Sequence, residues 1–189
     1  MTKRDAICET ALELFAEKGI EATTTREIAE KAGAAEGTLY RHFDGKDDLA
    51  QWLYQQCTAQ LGEMLTEAVA DASTPPARLE ALVRGVFEFY ASKPASCTYL
   101  LSTQEPNPGG EKADEPPRSP LRFFVEALSA GVTDGTFRDA PVTLTAGWVL
   151  AMVQQTVRSL KADALSMSRQ SAIDRTVDAA LRLAETPST

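Results

Sequence analysis

Residues 24–43 read TTREIAEKAGAAEGTLYRHF, and this stretch decides the fold. Thr24 stands just before a helical run and has Glu27 three residues on. That is the spacing of a capping box, in which each side chain satisfies an orphan amide. Ile28, Ala29 and Ala32 recur at helical spacing and give the helix an apolar face. Gly33 sits where a helix closes on a left-handed residue. A second short helix is predicted from Glu36 to Phe43, with Leu39 and Phe43 one turn apart and turned inward. Helix, glycine-containing turn and short helix make the layout of a helix-turn-helix.

Working outward, helices continue on both sides. Ile7, Cys8, Ala11, Leu12, Leu14 and Phe15 form an apolar stripe from about Thr2 to Lys18, and Gly19 follows as its terminator. Asp44-Gly45 breaks the pattern after Phe43. A long fourth helix is predicted from Lys46 to about Ala72, carrying Leu49, Trp52, Leu53, Cys57, Leu61 and Leu65. Further helices are expected over 76–92, 95–104, 120–131, 141–164 and 169–185. No run of alternating β-branched residues stands between turn signals, so no strand is expected. Residues 105–120, EPNPGGEKADEPPRSP, hold five prolines and two glycines and are expected to form an exposed loop.

The expected fold class is therefore all-α. An N-terminal helix-turn-helix domain, residues 1–48, is joined by the long helix to a C-terminal helical bundle, residues 49–189. Apolar residues make up 43% of the 189, enough for a real core, and no stretch reaches the length of a membrane span. The N-terminal stretch lacks the unbroken apolar segment and cleavage site of a signal peptide. A soluble, cytoplasmic protein is expected. Cys8, Cys57 and Cys97 are odd in number and far apart, which argues against a disulfide framework or a zinc site. They read as small apolar residues, with a redox switch as the alternative.

Charge works against a general nucleic-acid binder. Net charge is −8, and the first 50 residues carry 7 Lys and Arg against 11 Asp and Glu. Binding to a polyanion rests on cations that release counterions. Any DNA contact must then come from a few cations gathered on one face. The short helix supplies candidates. Tyr40, Arg41 and His42 fan outward while Leu39 and Phe43 hold the helix to the body. Arg41 suits a guanine edge or a phosphate, and Tyr40 and His42 can donate to phosphate oxygens. Thr25 and Lys46 lie at helix N-termini, where an anion is favoured. Gly37 is costly inside a helix unless a partner's backbone comes close. Alternatives stay open: Tyr40 as a half-buried aromatic, Lys46 as a solvated cation. Asp47-Asp48 reads as a first-turn pair favoured by the helix dipole. No nucleophile elbow, phosphate loop or histidine acid–base pair is present, so no enzyme, metal or cofactor is expected.

The string ALELFAEKGIEATTTREIAEKAGAAEGTLYRHFDGKDDL, residues 11–49, closely resembles the DNA-binding domain of TetR-like (TetR/AcrR) regulators. The resemblance covers about residues 5–55 and rests on T-x-x-x-I-A-x-x-A-G and G-x-L-Y-x-H-F-x-x-K-x-x-L. It implies an all-helical homodimer that binds double-stranded DNA at a palindromic operator, with a pocket for a small-molecule effector in the second domain. It also implies DNA contacts at Thr25, Gly37, Thr38, Tyr40, Arg41, His42 and Lys46. The chain departs from the family at Ala35, where many members carry a hydroxyl that caps the short helix or touches a phosphate.

The C-terminal body carries weaker signals. Phe87, Tyr90, Tyr99, Phe124, Trp148, Met152 and Gln155 are candidates for an apolar pocket wall, with core packing as the plain alternative. Few cations lie among them, so a neutral or cationic apolar effector is expected. The last two helices are apolar on more than one face, as an interface between two copies requires. Leu144, Ala151, Val157, Ile173, Val177 and Leu181 are its candidates, with a monomeric two-layer bundle as the alternative. The function expected is a ligand-responsive repressor released from its operator by a small apolar molecule. The runner-up is a protein-binding module that kept the fold and lost most DNA affinity.

Overall fold

The computed structural model describes residues 2–103 and 119–185. The loop expected over 105–120 lies, but for its last two residues, outside them. Among the described residues there are nine helices: α1 Lys3–Lys18, α2 Thr25–Lys31, α3 Glu36–Tyr40, α4 Lys46–Ala68, α5 Pro75–Ser92, α6 Pro94–Ser102, α7 Pro120–Thr133, α8 Val142–Lys161 and α9 Arg169–Ala184. An isolated bridge between Phe137 and Glu185 is their only β pairing. The all-α expectation holds.

The described residues divide into two compact units. The first is drawn from Met1–Ala59 and Lys93–Pro117, the second from Gln60–Ser92 and Arg118–Thr189. Residue 48, after which the sequence places a boundary, lies in the first turn of α4. Two features carry the first unit further: α6 packs on α1, and Tyr99 of α6 donates its hydroxyl to the Ala50 carbonyl at 2.9 Å.

In the first unit α1 packs on α2, α3 and α6. Ile7, Ala11, Leu14, Phe15, Ile28, Leu39 and Leu49 are all within 2% of complete burial. The Phe15 and Tyr99 rings stack at 5.9 Å, and Tyr54 meets Tyr99 edge-on at 6.4 Å. Cys8, Cys57 and Cys97 are buried, and none of them is in a disulfide. Burial pushes the Cys97 thiol up to about 12, so it stays protonated and inert at neutral pH.

In the second unit α5 packs on α7, α8 and α9, α7 on α8, and α8 on α9. Leu79, Leu82, Val83, Val86, Phe87 and Phe89 bury one broad face of α5. Gly131 is required by packing: a Cβ there would come within 2.1 Å of the Phe137 ring. Across the α8–α9 contact the Thr156 and Thr176 hydroxyls meet at 3.0 Å.

Candidate nucleic-acid interface

The local sequence builds the helix-turn-helix much as its spacing predicts. Thr24 caps α2 by accepting from the Glu27 amide at 3.2 Å. The second half of the expected capping box is absent. The Glu27 carboxylate turns to Lys18 at 2.5 Å and to Lys31 at 3.7 Å, and the Lys18 hydrogen bond holds it below the usual carboxylate range. A full charge is a stronger partner than a neutral amide, so the ion pair wins. Gly33, at φ +60°, supplies the left-handed turn.

The α3 helix is shorter than expected. It ends at Tyr40, and Arg41, His42 and Phe43 complete a turn in which both the His42 and Phe43 amides donate to the Leu39 carbonyl. Ala35 offers the α3 N-terminus no side-chain cap. Asp48 accepts from the Asp44 amide at 3.0 Å, which confirms the Asp47-Asp48 pair as helix-start residues.

Charge is distributed unevenly over this unit. Lys3 donates to the Gly33 carbonyl at 2.7 Å and so pins the turn to α1. The Arg4 guanidinium lies over Trp52 at 4.3 Å and over Phe43 at 5.3 Å. Lys18 and Lys31 pair with Glu27, and Arg26 with Glu30 at 2.9 Å. Of the seven cations in the first 50 residues, five are thus engaged within the fold. Arg41 and Lys46 have no such partner among the described residues, and both sit at the α3–α4 corner.

Around them lie the other predicted contacts. Tyr40 is 55% exposed, so it is not a core aromatic. His42 and Gly37 are exposed, and Thr38 is half-buried. Gly37 has no protein atom within 4 Å of a would-be Cβ and no positive φ. Nothing within the fold asks for glycine there. Thr25 is more committed than its sequence position suggests: it donates to the Glu36 carboxylate at 2.7 Å and lies 3.4 Å from the Tyr40 hydroxyl. Sequence reasoning did not place Glu36 in this group, because only the α2–α3 packing brings the two residues together across eleven positions.

The second unit presents a different surface. Leu144, Trp148 and Met167 are 49%, 47% and 43% exposed, unusual for such large apolar side chains. An open groove of about 740 Å³ runs along α8 and α9, lined by Trp148, Met152, Gln155, Met167 and Leu183 among others. The seven pocket candidates therefore separate. Phe87 and Phe124 are fully buried in the core of the second unit, and Tyr99 in that of the first. Tyr90 lies under the Arg169 guanidinium at 5.7 Å, a cation that the charge reading of the pocket did not count. Trp148, Met152 and Gln155 line the outer groove. The interface candidates separate too. Leu144 and Ala151 are exposed, Ile173 and Leu181 half-buried, and Val157 and Val177 buried inside the unit with no surface to offer a second copy.

No helix among the described residues is long and apolar enough to cross a membrane, and none of their His, Cys, Asp and Glu side chains gather in threes that could hold a metal. The model of the bacterial regulatory proteins of the tetR family matches residues 7–52. The HTH-type transcriptional repressor KstR2 of Rhodococcus jostii (strain RHA1) is 34% identical over 139 residues, spanning 72% of this chain and 68% of the relative. A bacterial regulatory protein in the tetR family from Rhodococcus RHA1 has a crystal structure that superposes with a TM-score of 0.76 at 25% identity, covering 100% of both chains. The regulator FadR from Bacillus subtilis, solved in complex with stearoyl-CoA, superposes with a TM-score of 0.74 at 20% identity over 94% of this chain and 97% of that one. With helix-turn-helix, flanking helices and a relative of this closeness in agreement, the chain belongs to the tetR family of bacterial regulatory proteins.

Proposed function

We propose that this protein is a ligand-responsive transcriptional repressor that docks its α3–α4 corner on duplex DNA and is released by a small, largely apolar effector. The observation that carries the reading is the pair of unpartnered cations, Arg41 and Lys46, on a unit whose other early cations are engaged internally. In an acidic protein, cations left free together on one corner suit an external anion. Lys46 would hold a phosphate and Arg41 a phosphate or guanine edge, with Tyr40, His42, Thr38 and the open backbone at Gly37 beside them.

The protein acts in this reading as a homodimer on a palindromic operator. The outer face of α8 and α9, with Leu144, Trp148, Ala151 and Met152, is the surface assigned to the second copy. A two-fold pair of helix-turn-helix units then sets half-sites one turn of DNA, or a multiple of it, apart. The effector acts through the second unit. The complex of FadR with stearoyl-CoA supports an apolar body for it, and Arg169 above Tyr90 admits an anionic end as readily as a neutral one. Because α4 contributes residues to both units, it is the covalent route by which occupancy would alter DNA affinity. A ligand shifts that balance only by its differential affinity for the two states.

The test is footprinting of purified protein on genomic fragments, with competitor DNA, followed by titration of fatty acyl-CoA and steroid ligands against the footprint. A palindromic footprint erased by one ligand class supports the reading. Protein that binds every fragment alike, or none, refutes it and favours a protein-binding module.

A further inference from the structure

One charge on the DNA-facing corner has the wrong sign. Glu36 is the first residue of α3, exposed, and in no ion pair among the described residues, although the Arg26 guanidinium, held by Glu30, feels its charge; its hydrogen-bond partner is the Thr25 hydroxyl, 2.7 Å from Oε1. A threonine hydroxyl has one hydrogen, so with that hydrogen on Glu36 its contact with Tyr40 at 3.4 Å is one in which the tyrosine donates. Tyr40, Thr25 and Glu36 thus form a directed chain that holds Oε1 and leaves Oε2 without a hydrogen-bond partner among the described residues. The Thr25 and Tyr40 hydroxyls, both expected at the DNA, are engaged instead, Thr25 with the carboxylate and Tyr40 with Thr25.

Such a group opposes docking on phosphates, since an unneutralised carboxylate repels them. It is offset where it meets a hydrogen-bond donor on the DNA. In the major groove the donors are base amino groups, and a carboxylate accepts from cytosine N4. Recognition helices present their N-terminal residues to base edges, which is where Glu36 stands. Resting on the DNA-binding reading above, we infer that Glu36 is a specificity-determining residue: it selects cytosine at one position of each half-site and disfavours sequence-blind binding, with Thr25 and Tyr40 as positioning residues.

The full-length protein and its Glu36→Ala, Glu36→Gln and Thr25→Val variants are each put through selection from a randomised duplex library. Binding to the selected site and to an unrelated duplex is then measured at several salt concentrations. Glu36→Ala should lose the cytosine preference at a single position per half-site, by roughly tenfold, and bind the unrelated duplex more tightly. Glu36→Gln should move that position toward adenine, because an amide pairs with N6 and N7 of adenine. Thr25→Val should blur the same position by a smaller factor. If the Glu36 variants select the unaltered consensus and change affinity for both duplexes alike, the inference is overturned while DNA binding stands. If the unmutated protein enriches no sequence at all, the proposed function falls with it.

Discussion

The helix-turn-helix and the α8–α9 pair expose opposite kinds of surface. At the α3–α4 corner the exposed groups are polar and few, and the apolar side chains Ile28, Leu39 and Phe43 are buried. Along α8 the exposed groups include Leu144 and Trp148, while Val149, Val153 and Val157 fill the inner face. The corner suits a polyanion and the helix pair suits another apolar face. Each surface is defined by what the surrounding fold leaves over. Five cations of the first unit are paired within the fold, and two large apolar residues on α8 are left outward in the second.

The strongest way to break this comparison is to disturb the second unit alone. Gly131→Ala would drive a Cβ into the Phe137 ring, and overpacking of this kind, with its backbone shifts, costs up to about 3 kcal/mol. Calorimetry should show the second unit melting earlier. If the first unit loses stability equally, the two surfaces are not independent. Next in size is Trp148→Ala. Loss of a central aromatic anchor should weaken self-association by about 2 kcal/mol, roughly thirtyfold, in sedimentation. Unchanged self-association would count against the interface proposed on the outer face of α8.

Two substitutions sharpen the other side. Arg41→Ala should relax base choice by about 1–2 kcal/mol at one position if the guanidinium reads guanine. Lys46→Ala should weaken all sites alike and flatten the salt dependence by about one unit, the mark of a single phosphate contact. If the two variants show the same salt slope and the same consensus, Arg41 is a phosphate ligand as well, and base reading at this corner falls to other side chains.

What could be read from sequence follows from the range of the interactions involved. The apolar stripe of α1, the Thr24 cap, the left-handed Gly33 and the inward pair Leu39 and Phe43 are local, and they stand in the structure as predicted. Most departures from the local pattern involve partners distant in sequence. Thr24 and Glu27 have capping-box spacing, yet Lys18, brought in by the α1–α2 packing, takes the carboxylate. Trp148, Met152 and Gln155 share one helical face, as their spacing predicts, but α8 is apolar on two faces and periodicity cannot say which turns inward. Phe87 and Phe124 are aromatic in the way of a pocket wall and of a core alike, and both are buried in the second unit.

The smallest effect tests the weakest point of the corner. Ala35 leaves the first amides of α3 without a side-chain acceptor, and α3 has only five residues over which to recover that loss. Ala35→Ser should therefore stabilise the first unit by about 1 kcal/mol or less, a rise of a few degrees in its melting measured without DNA. The same hydroxyl could reach a phosphate, so affinity measured with DNA would rise by a separate amount. The two readouts part the two roles. A gain in melting with unchanged affinity assigns position 35 to the helix. A gain in affinity with unchanged melting assigns it to the DNA, and implies that the short helix is held by Leu39 and its packing rather than by its cap.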